Sequence, residues 1–107
     1  MHIGFILTKT PAEESFKSFL KFVNLYQGKE EVSIYLLGSG VFCARKRHSY
    51  QDKIAKLAEN SNIYAYSNDL MARGIDKEDL ISGITIFDNY DDLVIAIMEN
   101  FDQVLSF

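Results

Sequence analysis

The chain is 107 residues long and 48% hydrophobic, with one proline, one cysteine and no tryptophan, which fits a single domain spanning residues 1–107. Eleven Lys and Arg stand against fifteen Asp and Glu, and the net charge of −4 argues against a nucleic-acid or anionic-membrane binder driven by overall charge. A lone cysteine excludes an internal disulfide and a Cys-rich zinc module, the histidines His2 and His48 are far apart, and no apolar run approaches the ~20 residues of a membrane span. Neither metal, cofactor nor membrane is therefore expected. The N-terminal residues lack a signal-peptide pattern, so the expected location is the cytoplasm.

Residues 2–8 are apolar and β-compatible, and Thr8-Lys9-Thr10-Pro11 closes this first strand. Thr10 as N-cap, Pro11 at the first helical position and Glu13 three residues after the cap predict a helix from that point. Its apolar side reads Phe16, Phe19, Leu20, Val23 and Tyr26, and Gly28 stops it. A second strand over 32–37 ends in Gly38-Ser39-Gly40, while residues 41–48 fit neither period. Helical spacing of Tyr50, Ile54, Leu57 and Ala58 predicts a helix from Ser49 to about Asn60, followed by a third strand over 62–66. Ser67 opens a brief helix ended by Gly74, and 76–83 reads as a further helical turn or two. A fourth strand covers 84–87. Asp88 then caps a helix with apolar residues Tyr90, Val94, Ile97, Met98 and Phe101, and a fifth strand covers 103–107.

Short strands alternating with helices require crossover connections, which predicts an α/β fold: a three-layer α/β/α domain on a five-stranded, mainly parallel sheet. Ligands of such sheets bind beyond the carboxyl ends of the strands, so the loops of interest are 8–12, 38–48, 66–69 and 87–91. The loop after the first strand contains no Gly-Lys-Ser/Thr and no GxGxxG, which rejects a P-loop and a dinucleotide fold. Thr8 and Thr10 faintly echo a flavin phosphate loop, but no glycine follows to let backbone wrap a phosphate. Asp88, Asp91 and Asp92 open the last helix, where capping and the helix dipole account for them.

Cys43 is the residue with distinctive chemistry. Arg45, Lys46, Arg47 and His48 follow it, and nearby positive charge lowers a thiol pKa and raises thiolate content. Two readings stand side by side: a reactive thiolate, and a small buried apolar residue whose basic neighbours form a solvated surface. A phosphatase loop requires an Arg six positions after its Cys, and Ser49 occupies that position. Arg45-Lys46-Arg47 could also bind phosphate or RNA with Tyr50 available to stack, and Ser39, Arg45 and Lys46 a phosphate or nucleotide, although three basic residues are a weak signal. Residues 76–107 carry eight acids and one lysine, so the chain is polarised by charge.

The Met1–Thr8 segment, the loop Leu36-Leu37-Gly38-Ser39-Gly40-Val41 and the segment Tyr66–Ile75 ending in Met71-Ala72-Arg73-Gly74-Ile75 resemble the DsrE/DsrF-like family, with its TusD-like sulfur-relay fold. The resemblance covers essentially the whole chain. It implies a five-stranded α/β/α domain, assembly into homo-oligomers (trimers or hexamers), and a sulfur-carrier protein as partner. Active members pass sulfur as a cysteine persulfide from a cysteine just after the third strand, a position that counting back from Arg73-Gly74-Ile75 places at Tyr66. A tyrosine cannot hold a persulfide. The resemblance then leaves Cys43, in the loop after the second strand, as a substitute thiol across the cleft, with Gly38, Ser39, Gly40, Val41, Arg45, Lys46, Tyr66 and Ser67 lining the site. Two functions follow: an intracellular sulfur-relay protein, a sulfurtransferase-type carrier using Cys43, or a non-catalytic scaffold, partner subunit or small-ligand binder of the same fold. Nucleic acid is not an expected partner.

Overall fold

The computed structural model describes residues 1–107. Its strands β1 (His2–Leu7), β2 (Glu31–Leu36), β3 (Asn62–Tyr66), β4 (Ile84–Phe87) and β5 (Gln103–Ser106) form one sheet in the order β4-β3-β2-β1-β5. Every neighbouring pair is parallel. Helices α1 (Glu14–Tyr26), α2 (Gln51–Asn60), α3 (Ser67–Ala72) and α4 (Tyr90–Ile95) alternate with the strands, so the expected α/β/α architecture is present.

Three successive connections step one way across the sheet and the fourth carries the chain from one edge to the other. Right-handed crossovers then put the first three connections on one face and α4 alone on the opposite face. Alternation along the strands matches this arrangement. Ile3, Phe5 and Leu7 of β1 and Val32, Ile34 and Leu36 of β2 point into the larger core, where they meet Phe16, Phe19 and Val23 of α1 and Ile54 and Leu57 of α2. Tyr35 and Phe87 point the other way and join Leu93 and Ala96 in a smaller core. Gly4 lies on that second face because the Phe101 ring occupies the space where a Cβ would project.

Several boundaries differ from expectation for identifiable reasons. Glu13 does reach back to the Thr10 N–H at 2.7 Å, but Thr10 Oγ1 accepts from Ala12 N–H at 3.3 Å, so the reciprocal bonds close a turn and α1 begins at Glu14. Ser49 likewise falls before α2, whose first residue is Gln51. Residues 41–48, which followed neither period, include the end of a 3₁₀ segment, Gly38–Ala44. The stretch after Gly74 holds a single 3₁₀ turn, Lys77–Asp79.

The last helix departs most. Asn89, not Asp88, caps it, accepting from Asp91 N–H at 3.0 Å, and past Ile95 it widens into a π turn, Ala96–Asn100. Leu93 and Ala96 face the sheet, whereas Tyr90, Val94, Ile97 and Met98 are exposed. No helix is long and apolar enough to cross a membrane.

Candidate functional site

The carboxyl ends of the strands gather the four loops that a parallel sheet reserves for ligands. β1 hands over to Thr8, whose N–H donates to the Phe107 carbonyl at 3.0 Å, so the end of the chain closes one side. Gly40 packs against the Leu7 backbone, where a Cβ would overlap the carbonyl oxygen. Gly38 N–H donates to Asp69 Oδ2 at 2.8 Å and thereby ties the 3₁₀ segment to α3.

The Arg73-Gly74-Ile75 sequence completes that tie. Arg73 pairs with Asp69 at 3.5 Å and donates to the Asp69 carbonyl at 3.2 Å, Gly74 reverses the chain at φ 66°, and Ile75 enters the core. The guanidinium carbons of Arg45 and Arg73 lie 5.2 and 5.9 Å from the centroid of Phe42, within cation–π range. Sequence reasoning missed Asp69 and Phe42. The i,i+4 spacing of Asp69 and Arg73 was the available signal for the ion pair.

The Gly-Ser-Gly loop delivers Cys43 inward. Val41, Cys43 and Ala44 are fully buried, while Arg45 and Arg47 are exposed. The thiol donates to the Lys9 carbonyl oxygen at 3.4 Å. Burial pushes it up to about 12, and the Glu13 carboxylate adds to the rise. The lowered pKa expected from the basic run is thus reversed: loss of hydration outweighs chain-neighbour charges directed away from the sulfur. Lys46 reaches elsewhere, donating through Nζ to the Glu78 carbonyl at 3.2 Å.

His48 is committed to the backbone. Tyr50 N–H donates to Nδ1 at 3.1 Å, which places the proton on Nε2, and Nε2 in turn donates to the Cys43 carbonyl at 3.1 Å. Neither ring nitrogen is free to take a proton from a substrate. Beside this histidine a groove of about 390 Å³ opens between the Thr10–Ala12 turn and the Phe42–Tyr50 loop, lined also by Arg45 and Ser49.

Tyr66 stands at the end of β3, stacked on Phe87 at 5.1 Å and edge-on to Tyr90 at 5.6 Å. Its hydroxyl accepts from Asn68 Nδ2 at 3.0 Å. Tyr35 and Tyr64 stack at 4.8 Å on the same face of the sheet, so aromatic rings continue inward from this end. Ser67 begins α3 directly after Tyr66. The structure therefore brings Gly38, Ser39 and Gly40 beside α3, holds Val41 and Cys43 beneath them, turns Arg45 and Lys46 outward, and leaves Tyr66 within an aromatic stack on the opposite face of the sheet from α1.

A parallel five-stranded sheet with this strand order and a Gly-Ser-Gly loop pinned by an Asp-Arg pair defines a compact α/β class. Residues 9–103 match the family described as "DsrH like protein", and the chain belongs to that family. Among solved structures it is similar to the YchN protein from E. coli, with a TM-score of 0.85 at 20% identity, covering 100% of this chain and 99% of that one. It is similar also to MTH1491 from Methanobacterium thermoautotrophicum, titled a protein of unknown function, with a TM-score of 0.83 at 20% identity and coverage of 99% and 98%. At that identity the likeness is one of fold. No curated protein matches the chain.

Proposed function

We propose that the protein is a subunit of a DsrE-like sulfur-relay assembly and contributes a docking surface rather than a persulfide-bearing thiol. The carrying observation is the state of its sole cysteine: Cys43 is fully buried, hydrogen-bonded to the Lys9 carbonyl and strongly disfavoured as an anion. Sulfur transfer proceeds by thiolate attack and requires access to the attacking sulfur. The DsrH-like membership supports a place in sulfur handling, and the resemblance of the Tyr66–Ile75 segment to DsrE-type and TusD-type members puts an aromatic residue where they carry the nucleophile.

The sulfur-bearing thiol then belongs to another protein of the relay, and this chain is proposed to form homo-oligomers in which the exposed apolar side of α4 is covered by a second copy. Val94, Ile95 and Met98 are 40%, 49% and 78% exposed on adjoining positions, a cluster of apolar side chains of the kind that marks an interaction surface.

Intact-mass spectrometry after exposure to a persulfide donor tests the reading. The folded wild type is expected to gain no sulfur, as does Cys43→Ser, whereas wild type opened in denaturant gains one adduct. A sulfur adduct on native wild type that is absent from Cys43→Ser would overturn the docking role and make Cys43 the carrier, delivered through the Lys9 loop above it.

A further inference from the structure

Three grooves that share lining residues lead from the side covered by α1 and α2 to the loop that follows the 3₁₀ segment. The first, about 640 Å³, lies between the two helices, with Lys17 and Lys21 on one wall, Lys53 and Lys56 on the other, and Leu20 and Leu57 in its floor. Tyr50 belongs both to this groove and to the one beside His48. Arg45 belongs both to that second groove and to a third of about 320 Å³, which adds Lys46 and Arg47.

The charge along this track contrasts with the rest of the chain. Seven of the eleven Lys and Arg line it, and Asp79 is its single acid. The remainder of the protein then holds four Lys and Arg against fourteen acids. Lys17 has a surface ion pair with Glu14 at 3.4 Å, but Lys21, Lys53 and Lys56 have none. Arg45-Lys46-Arg47 alone is a weak signal; the fold adds four lysines from two helices that chain order keeps more than thirty positions apart.

We propose that this track binds the backbone of a single-stranded nucleic acid, independently of base sequence. Flexible lysine ammonium groups, those of Lys21, Lys53 and Lys56 without carboxylate partners, suit diffuse phosphate neutralisation. Lysine is depleted at protein–protein interfaces, which favours a phosphate backbone over an acidic protein as the occupant. A groove of about 640 Å³ between α1 and α2 has room for one strand laid along it and not for a duplex. Tyr50 carries Lys53 at 5.5 Å from its ring centroid, and Phe42 is flanked by two guanidinium groups, so backbone rather than base readout dominates.

Fluorescence anisotropy with a labelled oligouridine of roughly 20 nucleotides tests the proposal at about 50 mM salt and upward. Saturable binding is expected, with log K falling against log salt at a slope of about −3.5 to −5, as five to seven phosphates are neutralised. Lys21→Glu/Lys53→Glu weakens binding about tenfold or more, and Lys29→Glu/Lys77→Glu, placed outside the track, changes it less than about twofold. Matched melting curves verify that both variants fold. Absence of binding at the lowest salt overturns the proposal, as do equal losses in the two double variants. Competition by polyglutamate of equal charge that matches oligouridine also overturns it, and assigns the track to an acidic protein surface, such as the acid-rich C-terminal third of a second copy.

Discussion

Gly40 lies so close to the end of β1 that a Cβ on it would overlap the carbonyl oxygen of Leu7 and stand 2.8 Å from the carbonyl carbon. Backbone meets backbone there, with no side-chain tip able to yield. Gly40→Ala is expected to cost about 2–3 kcal/mol by overpacking, read as a lower denaturation midpoint at unchanged m-value. Gly28→Ala, where a Cβ meets nothing within 4 Å but φ is +84°, is expected to cost about 1 kcal/mol from backbone strain alone.

The thiol of Cys43 makes stability fall with alkalinity. Below the ordinary thiol value of 9.0 it is neutral in both folded and unfolded chains, so its contribution is complete there. Between pH 9 and about 12 the unfolded chain loses this proton and the folded chain keeps it, which favours unfolding by up to roughly 4 kcal/mol at the top of the range. Tyr35, raised by burial, adds to the decline in the same direction. Urea unfolding at pH 8 and pH 11 is expected to show a smaller loss for Cys43→Ala than for wild type, and an equal loss would mean that the thiol is hydrated.

The two sides of α4 separate stability from assembly. Leu93 is 1% exposed against the sheet, so Leu93→Ala is expected to cost about 2–4 kcal/mol. Met98 is 78% exposed, and Met98→Lys is expected to change the stability of the monomer by less than about 0.5 kcal/mol. Light scattering after gel filtration is expected to show the Met98 variant as smaller species than wild type. Identical masses for the two would remove α4 from the proposed interface.

Tyr66 provides a gain-of-function test. Tyr66→Cys puts a thiol at the end of β3 beside Ser67, only partly buried, and is expected to take up one sulfur from a persulfide donor under conditions in which wild type takes none. Loss of the contacts with Phe87 and Tyr90 lowers stability by about 1–3 kcal/mol, so uptake is compared only below the melting transition.

Periodicity located the strands because they are short runs between clear stops. Asn62–Tyr66 and the helix from Ser67 to the Gly74 reversal fall where pattern and turn chemistry agree. The last helix fails for a physical reason. Leu93 through Met98 is apolar at every position, so spacing cannot choose a face; the sheet chooses Leu93 and Ala96 and leaves Val94, Ile95, Ile97 and Met98 outside.

The candidate site was legible as a loop and illegible as chemistry. Gly38-Ser39-Gly40 marked the right turn, but proximity in sequence said nothing about direction, and the 3₁₀ segment sends Cys43 inward while Arg45 goes outward. The lysine track was hidden for the complementary reason. Lys17 and Lys53 become neighbours only after two crossover helices settle on the same face of the sheet.

The first strand waits for the last. β5 pairs with β1 and the Phe107 carbonyl accepts from Thr8, so the sheet edge beside β1 stays open until the residues from Gln103 onward have been made and have docked. Until then β1 presents unpaired backbone and the face under α4 is bare, which is the period of greatest exposure to misassociation. At about 5–20 residues per second that interval lasts roughly 5–20 seconds, and removing residues 103–107 would extend it through the life of the molecule.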